Sequence, residues 1–371
     1  MPDYYKITKQ NFIALLKNLL DKKMVDKVIS GVSKRSPFSI TPNLVSEADQ
    51  LDNFPIDQLF IHNFDRINSA SKFLHKHGGA QNEKIAMIGH PCDGRAIVEL
   101  SKIMQVNPDN IFRIIMEDYG VIQARALSTY LKKAGINEAD IKEEFLTEDK
   151  LLLKTKDDAI KELELGKDIS IVDNCSRCFR KTAENSYDLA ITTITTKPFG
   201  NELIVKVGSP KGAEIMETIE KTKLSNEDIK ELQKFQNKLK EDAYNKRQKD
   251  IQEFLSNDNR IVELSKCTMC GVCISACPVC FCVSCILQNQ RKEKSIDKLT
   301  YQLTRIAHVG DSCVGCGKCD QNCPTHLPLS LYFQTINDDI VAKFNYTPGM
   351  EPDKPRVRSK ANVRSIVFHK E

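Results

Sequence analysis

The run Cys267-Thr268-Met269-Cys270-Gly271-Val272-Cys273-Ile274-Ser275-Ala276-Cys277-Pro278 decides the fold of the C-terminal part of this chain. The same spacing returns as Cys313-x-x-Cys316-x-x-Cys319-x-x-x-Cys323-Pro324. Three cysteines at positions i, i+3 and i+6 wrap three corners of a cubane, and the fourth reaches across to the other cluster. The pattern therefore predicts two 4Fe-4S clusters in a ferredoxin-like module. The predicted ligands are Cys267, Cys270, Cys273 and Cys323 for the first cluster and Cys313, Cys316, Cys319 and Cys277 for the second.

Structural zinc is the competing interpretation of these cysteines. Zinc sites usually combine two Cys-x-x-Cys pairs across a longer loop, whereas this chain has two complete motifs, each closed by a proline. We expect Gly271, Gly315 and Gly317 to let the backbone turn close to sulfur and to point N–H groups at it. Two clusters close together in one small module indicate electron transfer rather than catalysis.

A third group of cysteines lies between the two motifs, in Cys280-Phe281-Cys282-Val283-Ser284-Cys285. Three ligands are too few for a standard cubane. Cys280, Cys282 and Cys285 are therefore either additional cluster ligands that need a fourth partner or free thiols, and the sequence leaves both interpretations open.

Composition restricts the class of protein. The chain has 371 residues and a net charge of +4, with Lys and Glu interspersed, so no stripe of positive charge indicates a nucleic-acid partner. The mean hydropathy of −0.37 and the lack of a long apolar run predict no membrane span. Eleven of the 14 cysteines lie between Cys267 and Cys323, and no export signal precedes them. This distribution predicts metal ligands in a reducing cytoplasm.

The order of apolar segments predicts an α/β fold followed by the cysteine-rich module. Lys84–Gly89 (KIAMIG) has the composition of a buried strand, it runs into His90-Pro91-Cys92, and a helix is expected from Arg95. A polar stretch of about fifty residues follows the next strand, Ile111–Met116. We expect four regions: an α/β domain at 1–222, a linking helix within 223–262, the ferredoxin-like domain at 263–340, and a polar tail at 341–371 that is mobile or lies over a partner.

Three cysteines lie outside the module. Cys175-Ser176-Arg177-Cys178 is a Cys-x-x-Cys pair, which is moderately specific for metal or redox chemistry. Cys92 has no second cysteine near it in the sequence, and such an isolated cysteine is most often a buried thiol.

With these motifs the chain resembles the beta subunits of coenzyme F420-reducing hydrogenases and F420-dependent formate dehydrogenases, and the formate dehydrogenase branch more closely. The resemblance covers nearly the whole chain. The segments that carry it are Ile13–Lys17 with Val25-Asp26, Gly89–Asp93 with Arg95–Leu100, Gln105–Asn107 with Asp109-Asn110, Asn174–Cys178, Asp188-Leu189, Cys277–Cys285, and Leu327–Ser330.

In that family the Pro-Cys loop and the Cys-x-x-Cys pair, with one further cysteine, hold a third 4Fe-4S cluster beside FAD, which exchanges a hydride with the deazaflavin. The resemblance implies that Cys92, Cys175 and Cys178 are ligands of this cluster. The chain also departs from the family. Lys9-Gln10 replace a Gly-Gly pair of the family, and Ala190–Thr193 replace a glycine-containing loop. The family also has a cysteine after the strand that ends near Met116; this chain has none there, and Ile115 is at the corresponding position. The fourth ligand of this cluster would then come from Asp118 or from the 280–285 segment. Alternatively, the cluster has three irons or is absent.

Two functions follow from this comparison. The first is an electron-transfer adaptor that has kept its clusters and lost the flavin site, and the glycine losses favour it. The second is an active FAD-containing beta subunit with coenzyme F420 as its substrate. A zinc-binding regulatory protein is the remaining alternative. The expected partner is the catalytic subunit of a formate dehydrogenase, hydrogenase or heterodisulfide reductase-like complex.

Overall fold

The computed structural model describes residues 2–33, 38–62, 64, 68–184 and 186–358. It has an α/β region, a long helix and a cysteine-rich helical region. The strands are β1 Tyr4–Thr8, β2 Lys27–Ser33, β3 Ile40–Val45, β4 Ile85–Gly89, β5 Ile111–Glu117, β6 Ile141–Leu146, β7 Lys150–Thr155, β8 Ile160–Glu164, β9 Leu189–Thr192, β10 Glu202–Val207 and β11 Thr222–Lys223. The helices are α1 Lys9–Asp21, α2 Ile56–His62, α3 Ala70–Lys76, α4 Pro91–Ser101, α5 Ala124–Lys133, α6 Asp173–Ser176, α7 Pro210–Met216, α8 Asn226–Ser256, α9 Arg260–Glu263, α10 Val272–Ser275, α11 Ile286–Lys292, α12 Lys298–Val309, α13 Lys318–Gln321 and α14 Leu329–Phe344.

An eight-stranded sheet in the order β11-β1-β10-β9-β5-β4-β2-β3 organises the first region. Its centre, from β9 to β2, is parallel, and both flanks are antiparallel. All five residues of β4 are buried, which agrees with its uninterrupted apolar sequence because helices cover both faces of parallel strands. The carboxyl ends of β4, β5 and β9 meet at one edge, where α/β proteins usually bind ligands.

The polar stretch after β5 is not a long loop. It contains α5 and an antiparallel sheet in the order β6-β7-β8. The alternation in β7 buries Leu151, Leu153 and Thr155, and the leucines join a second apolar core with Leu127 and Leu131 of α5. Burial of every second residue is expected for a strand with one buried face. Many charged residues in this stretch make the pattern hard to recognise in the sequence.

The predicted long helix is confirmed as α8, with 31 residues. The Ser225 hydroxyl accepts a hydrogen bond from Asp228 N at 3.1 Å and caps its first turn. Leu232, Leu239 and Ile251 are buried on one stripe. The buried Arg247 of α8 bonds the Asp338 carboxylate of α14, so the helix is attached to the cysteine-rich region.

The segment after α14 folds back on this chain. Glu99 of α4 is completely buried, and its carboxylate accepts hydrogen bonds from Tyr346 Oη at 2.7 Å and Gly349 N at 2.8 Å. Arg356 Nε donates to the same carboxylate at 3.1 Å, and Arg358 pairs with Asp311. The part of the expected polar tail that the structure describes is therefore packed against α4, and the tail from 359 onward lies outside the described residues. No helix in the described ranges is long and apolar enough to cross a membrane.

Candidate iron–sulfur centres

The first cysteine motif wraps around the short helix α10. Gly271 precedes this helix with φ +78°, a conformation that side chains rarely adopt, so the glycine makes the turn between Cys270 and Cys273 possible. Burial raises the pKa of Cys273, and the charges of Cys267 and Cys270 add to the shift, so the three thiols share one neighbourhood. Cys323 lies on a cavity wall beside Val272 of the same helix.

The second motif is built in the same way around α13. Gly317 precedes this helix with φ +66°. Burial raises the pKa of Cys313 to about 12, with a further contribution from Cys277 of the first motif. The pKa values of Cys316 and Cys319 are also raised, first by burial and then by neighbouring charges. Cys277 is thus close enough to Cys313 and Cys316 to affect their pKa values, while the exchange of the fourth cysteine between motifs stays a prediction.

A buried arginine lies between the two sets. Arg305 of α12 is 1% exposed, and its Nη2 donates to Cys273 O at 3.1 Å. Its Nε and Nη1 have no hydrogen-bond partner and its guanidinium no carboxylate partner among the described residues, and the guanidinium lies 4.9 Å from the centroid of the Phe333 ring. Burial would lower the pKa of Arg305, but the nearby sulfurs of Cys273, Cys319 and Cys277, which carry negative charge when deprotonated or bound to a cluster, raise it. A buried guanidinium without a carboxylate is costly, so its surroundings fit a negatively charged group held by these cysteines.

Other buried donors point at the cysteine sulfurs. Gln302 Nε2 donates to Cys267 Sγ at 3.0 Å, and Met269 N donates to the same sulfur at 3.1 Å. The Tyr301 hydroxyl beside Cys273 and Cys267 is buried and unpaired among the described residues. Hydrogen bonds to cluster sulfurs raise the reduction potential, so these groups suit a cluster environment.

Sequence reasoning missed Arg305, although a signal was present. Tyr301, Arg305 and Val309 are spaced by four residues and share the buried face of α12. A charged residue on an otherwise buried helical face indicates a special partner, but it does not identify that partner.

The cysteines between the motifs lie at a different surface. Cys280 lies against Cys277, because Cys280 N donates to Cys277 O at 3.3 Å, and the neighbouring Cys280 thiol lowers the pKa of Cys277. Cys280, Cys282 and Cys285 line a cavity of about 320 Å³ together with Lys72, whose Nζ donates to Cys280 O. Cys282 is exposed. The choice between additional ligands and free thiols stays open for all three residues.

Cys92 and the pair Cys175 and Cys178 come from separate elements of the fold. Cys92 lies in the first turn of α4, and Cys175 lies in α6. Burial raises the pKa of Cys92, with Cys175 among the contributing charges, and burial raises the pKa of Cys175 to about 12, with a contribution from Cys178. The Arg95 guanidinium, one turn after Cys92, is 4.0 Å from Cys178 Sγ. Arg95 thus connects Cys178 to the helix that carries Cys92, while the convergence of the three thiols on one site and their ligand role stay predictions.

The described residues contain no group of three His, Cys, Asp or Glu side chains arranged around a single metal ion. A mononuclear zinc site needs such an arrangement, whereas cubane sulfurs are roughly 6–7 Å apart.

The positions at which the chain departs from the family motifs are filled by buried or paired side chains. Ile115 lies in β5 between Gly89 of β4 and Ala190 of β9, and it is 2% exposed. Lys9 pairs with Asp57 at 2.8 Å. The cavity at this edge of the sheet, lined by Asp118 and Thr193 among others, measures only about 10 Å³.

The fold and the cysteine arrangement define an α/β protein with a ferredoxin-like dicluster domain. Residues 82–231 match the family model for the C terminus of the coenzyme F420 hydrogenase/dehydrogenase beta subunit, and residues 263–327 match the model for the 4Fe-4S dicluster domain.

Two curated relatives span nearly the whole chain. The chain is 27% identical to the F420-dependent formate dehydrogenase subunit beta of Methanocaldococcus jannaschii, over 92% of each chain. It is 28% identical to the F420-dependent formate dehydrogenase 1 subunit beta of Methanococcus maripaludis, over 92% of this chain and 91% of the relative. A chain of the F420-reducing [NiFe] hydrogenase complex from Methanosarcina barkeri has the same fold, with a TM-score of 0.55 at 14% identity, covering 68% of this chain and 91% of that one. The resemblance to this beta-subunit family is therefore confirmed, and the chain is similar to formate dehydrogenase beta subunits over most of its length.

Proposed function

We propose that this chain is an electron-transfer subunit that relays single electrons through 4Fe-4S clusters held by Cys267, Cys270, Cys273 and Cys323 and by Cys313, Cys316, Cys319 and Cys277. The observation that carries the proposal is Arg305, a buried cation that donates to Cys273 O at 3.1 Å and whose Nε and Nη1 have no hydrogen-bond partner among the described residues. The dicluster domain match over residues 263–327 supports the same function.

A bound 4Fe-4S cluster supplies one-electron oxidation and reduction. The chain contributes burial, charge and hydrogen bonds. Cys267, Cys273, Cys277 and Cys319 are buried, which keeps water from these ligand sulfurs. Arg305 lies near both sets, so its charge stabilises added electrons on each.

The proposal includes a third cluster at Cys92, Cys175 and Cys178, which would extend the relay into the α/β region. The site is next to the second motif. Cys316 contributes to the raised pKa of Cys92, and Arg95 donates to Val314 O at 3.1 Å. Asn174, beside Cys175, donates to Gly315 O at 2.7 Å. These contacts hold the two sites together across the junction of the two regions.

The proposal assigns no hydride transfer to this chain. A flavin facing a deazaflavin needs an open cleft. The cavity beside Asp118 and Thr193, at the carboxyl ends of β5 and β9, measures about 10 Å³ and is too small for one. Ile115 and Ala190 occupy the central sheet positions. An active FAD-containing subunit is the second candidate, and the whole-length similarity to F420-dependent beta subunits favours it. By the same similarity, we propose the catalytic subunit of a cytoplasmic formate dehydrogenase- or hydrogenase-like complex as the partner.

Metal and flavin counts on anaerobically purified full-length protein test the proposal. We expect about eight irons and eight sulfides from the ferredoxin-like domain, about four more of each from the third site, and no stoichiometric FAD. Bound zinc without a visible chromophore would refute the relay.

A second experiment separates the adaptor from the active beta subunit. Reduced deazaflavin is added to the reconstituted protein, with and without FAD, and cluster bleaching is followed. We expect no fast bleaching in either sample. Fast, FAD-dependent bleaching would show that hydride is accepted here and would favour the second candidate.

A further inference from the structure

The third site has three cysteines but needs four ligands for a cubane. No cysteine occurs between Cys92 and Cys175, so the fourth ligand must come from another residue type or from a distant segment. The 280–285 segment is one source. Its Cys280 bonds instead to Cys277, and its cavity is shared with Lys72, so this segment lies in a different neighbourhood.

His90 is connected to the three cysteines through the chain and through Asp118. It is the N-cap of α4, two residues before Cys92, and it is 4% exposed. Its Nδ1 lies 2.6 Å from Asp118 Oδ2. Its Nε2 is buried and has no hydrogen-bond partner among the described residues. A buried imidazole nitrogen without a partner is costly, and an iron–nitrogen bond would satisfy it.

Asp118 connects His90 to Cys175. Its other oxygen, Oδ1, accepts from Gly120 N at 2.8 Å, so both carboxylate oxygens are engaged within the protein. A Cβ placed on Gly120 would lie 2.8 Å from the Cβ of Cys175, so this backbone is in close contact with the cysteine. Asp118 is thus placed to orient the histidine rather than to bind iron itself.

We propose that His90 is the fourth ligand of the third cluster, through Nε2, together with Cys92, Cys175 and Cys178. This inference rests on the proposed third cluster. The bond requires a neutral ring that keeps its proton on Nδ1, and a carboxylate that accepts this proton is the usual support for a metal-bound histidine. Asp118 is the positioning residue. A neutral imidazole replaces a negative thiolate, so this cluster has a higher potential than its all-cysteine counterpart would have.

His62 provides a matched control. It is 7% exposed, its Nε2 lies 3.0 Å from Glu144 Oε1, and its Nδ1 is also unpaired among the described residues. An unpaired ring nitrogen alone therefore does not make a ligand. The two histidines differ in their surroundings: His62 contacts Phe38 and Glu144 of β6, whereas His90 is the N-cap of the helix that carries Cys92.

The test uses full-length protein grown with ¹⁵N-histidine and reconstituted anaerobically. We expect pulsed EPR of the reduced protein to show a strongly coupled histidine nitrogen on one cluster. His90→Cys should keep the iron content, lose the nitrogen coupling and shift that cluster to a lower midpoint potential. His62→Asn should change none of the three readouts.

Three results would overturn the inference. Full iron content without nitrogen coupling in the wild type would exclude His90 while leaving the three-cluster relay intact. Coupling that persists in His90→Cys would assign the nitrogen to another histidine. Only about eight irons per chain in the wild type would exclude the third cluster, and His90 with it, while the two-cluster relay would stand.

Discussion

Replacing Arg305 tests the relay most directly, because this cation is buried near both cluster sites. Its Nη2 is 3.1 Å from Cys273 O, and one cysteine residue spans a few ångströms from carbonyl to sulfur, so we take the charge-to-sulfur separation as on the order of 7 Å. A unit charge at roughly 7 Å with an effective dielectric constant near 20 interacts by about 2 kcal/mol. For one electron this corresponds to a potential shift of roughly 100 mV.

We therefore expect Arg305→Gln to lower the midpoint potentials of both ferredoxin-type clusters by about 100 mV. Arg305→Lys keeps the charge but loses the planar fork, so its shift should be smaller. The measurement is an EPR-monitored redox titration of the anaerobic protein. Iron content must stay at the wild-type value, so that a shift is not confused with cluster loss.

Arg291 is the matched control. It donates to Cys270 O at 3.1 Å, but its side chain is more exposed than that of Arg305, so solvent screens its charge. Arg291→Gln should shift the first cluster only slightly and leave the second unchanged. Equal shifts in the two variants, or no shift in Arg305→Gln, would refute the assignment of Arg305 as the charge shared by both clusters.

Three further predictions concern the cluster ligands, the C-terminal segment and pH. Iron analysis of the purified variants tests the cluster ligands. Cys270→Ala should lose about four irons per chain, whereas Cys282→Ala should lose none if Cys282 is a free thiol. Equal losses in the two variants would contradict the ligand assignment. Glu99→Gln removes the charge of a completely buried carboxylate that is paired with Arg356, at a cost of about 3–5 kcal/mol. Trypsin should therefore cleave the segment after α14 faster, while Glu148→Gln, at a more exposed ion pair, should have no such effect. Burial lowers the pKa of His75 below its ordinary value of 6.5, so the unfolded state binds more protons and stability should fall as pH drops through that value and below. Urea midpoints of His75→Phe should show a shallower pH dependence, and an unchanged slope would contradict this.

The sequence alone was sufficient for features that depend on local spacing. The repeated Cys-x-x-Cys-x-x-Cys pattern predicts the dicluster domain because cluster geometry restricts how far apart three ligands can be in one loop. The apolar run of β4 and the amphipathic stripe of α8 are likewise local signals. Strand β7 of the small sheet also has a buried residue at every second position, but the charged residues around it made this pattern hard to recognise.

Only the tertiary structure decided which distant groups meet. Arg305 lies on the buried face of α12, but its closeness to both cysteine sets depends on how α12 packs against the two motifs. His90 and Asp118 follow adjacent parallel strands, and the register of β4 against β5 brings them within hydrogen-bonding distance. The Glu99 network joins residues about 250 positions apart in the sequence. Spacing along the chain cannot encode such contacts, because they depend on the packing of whole elements.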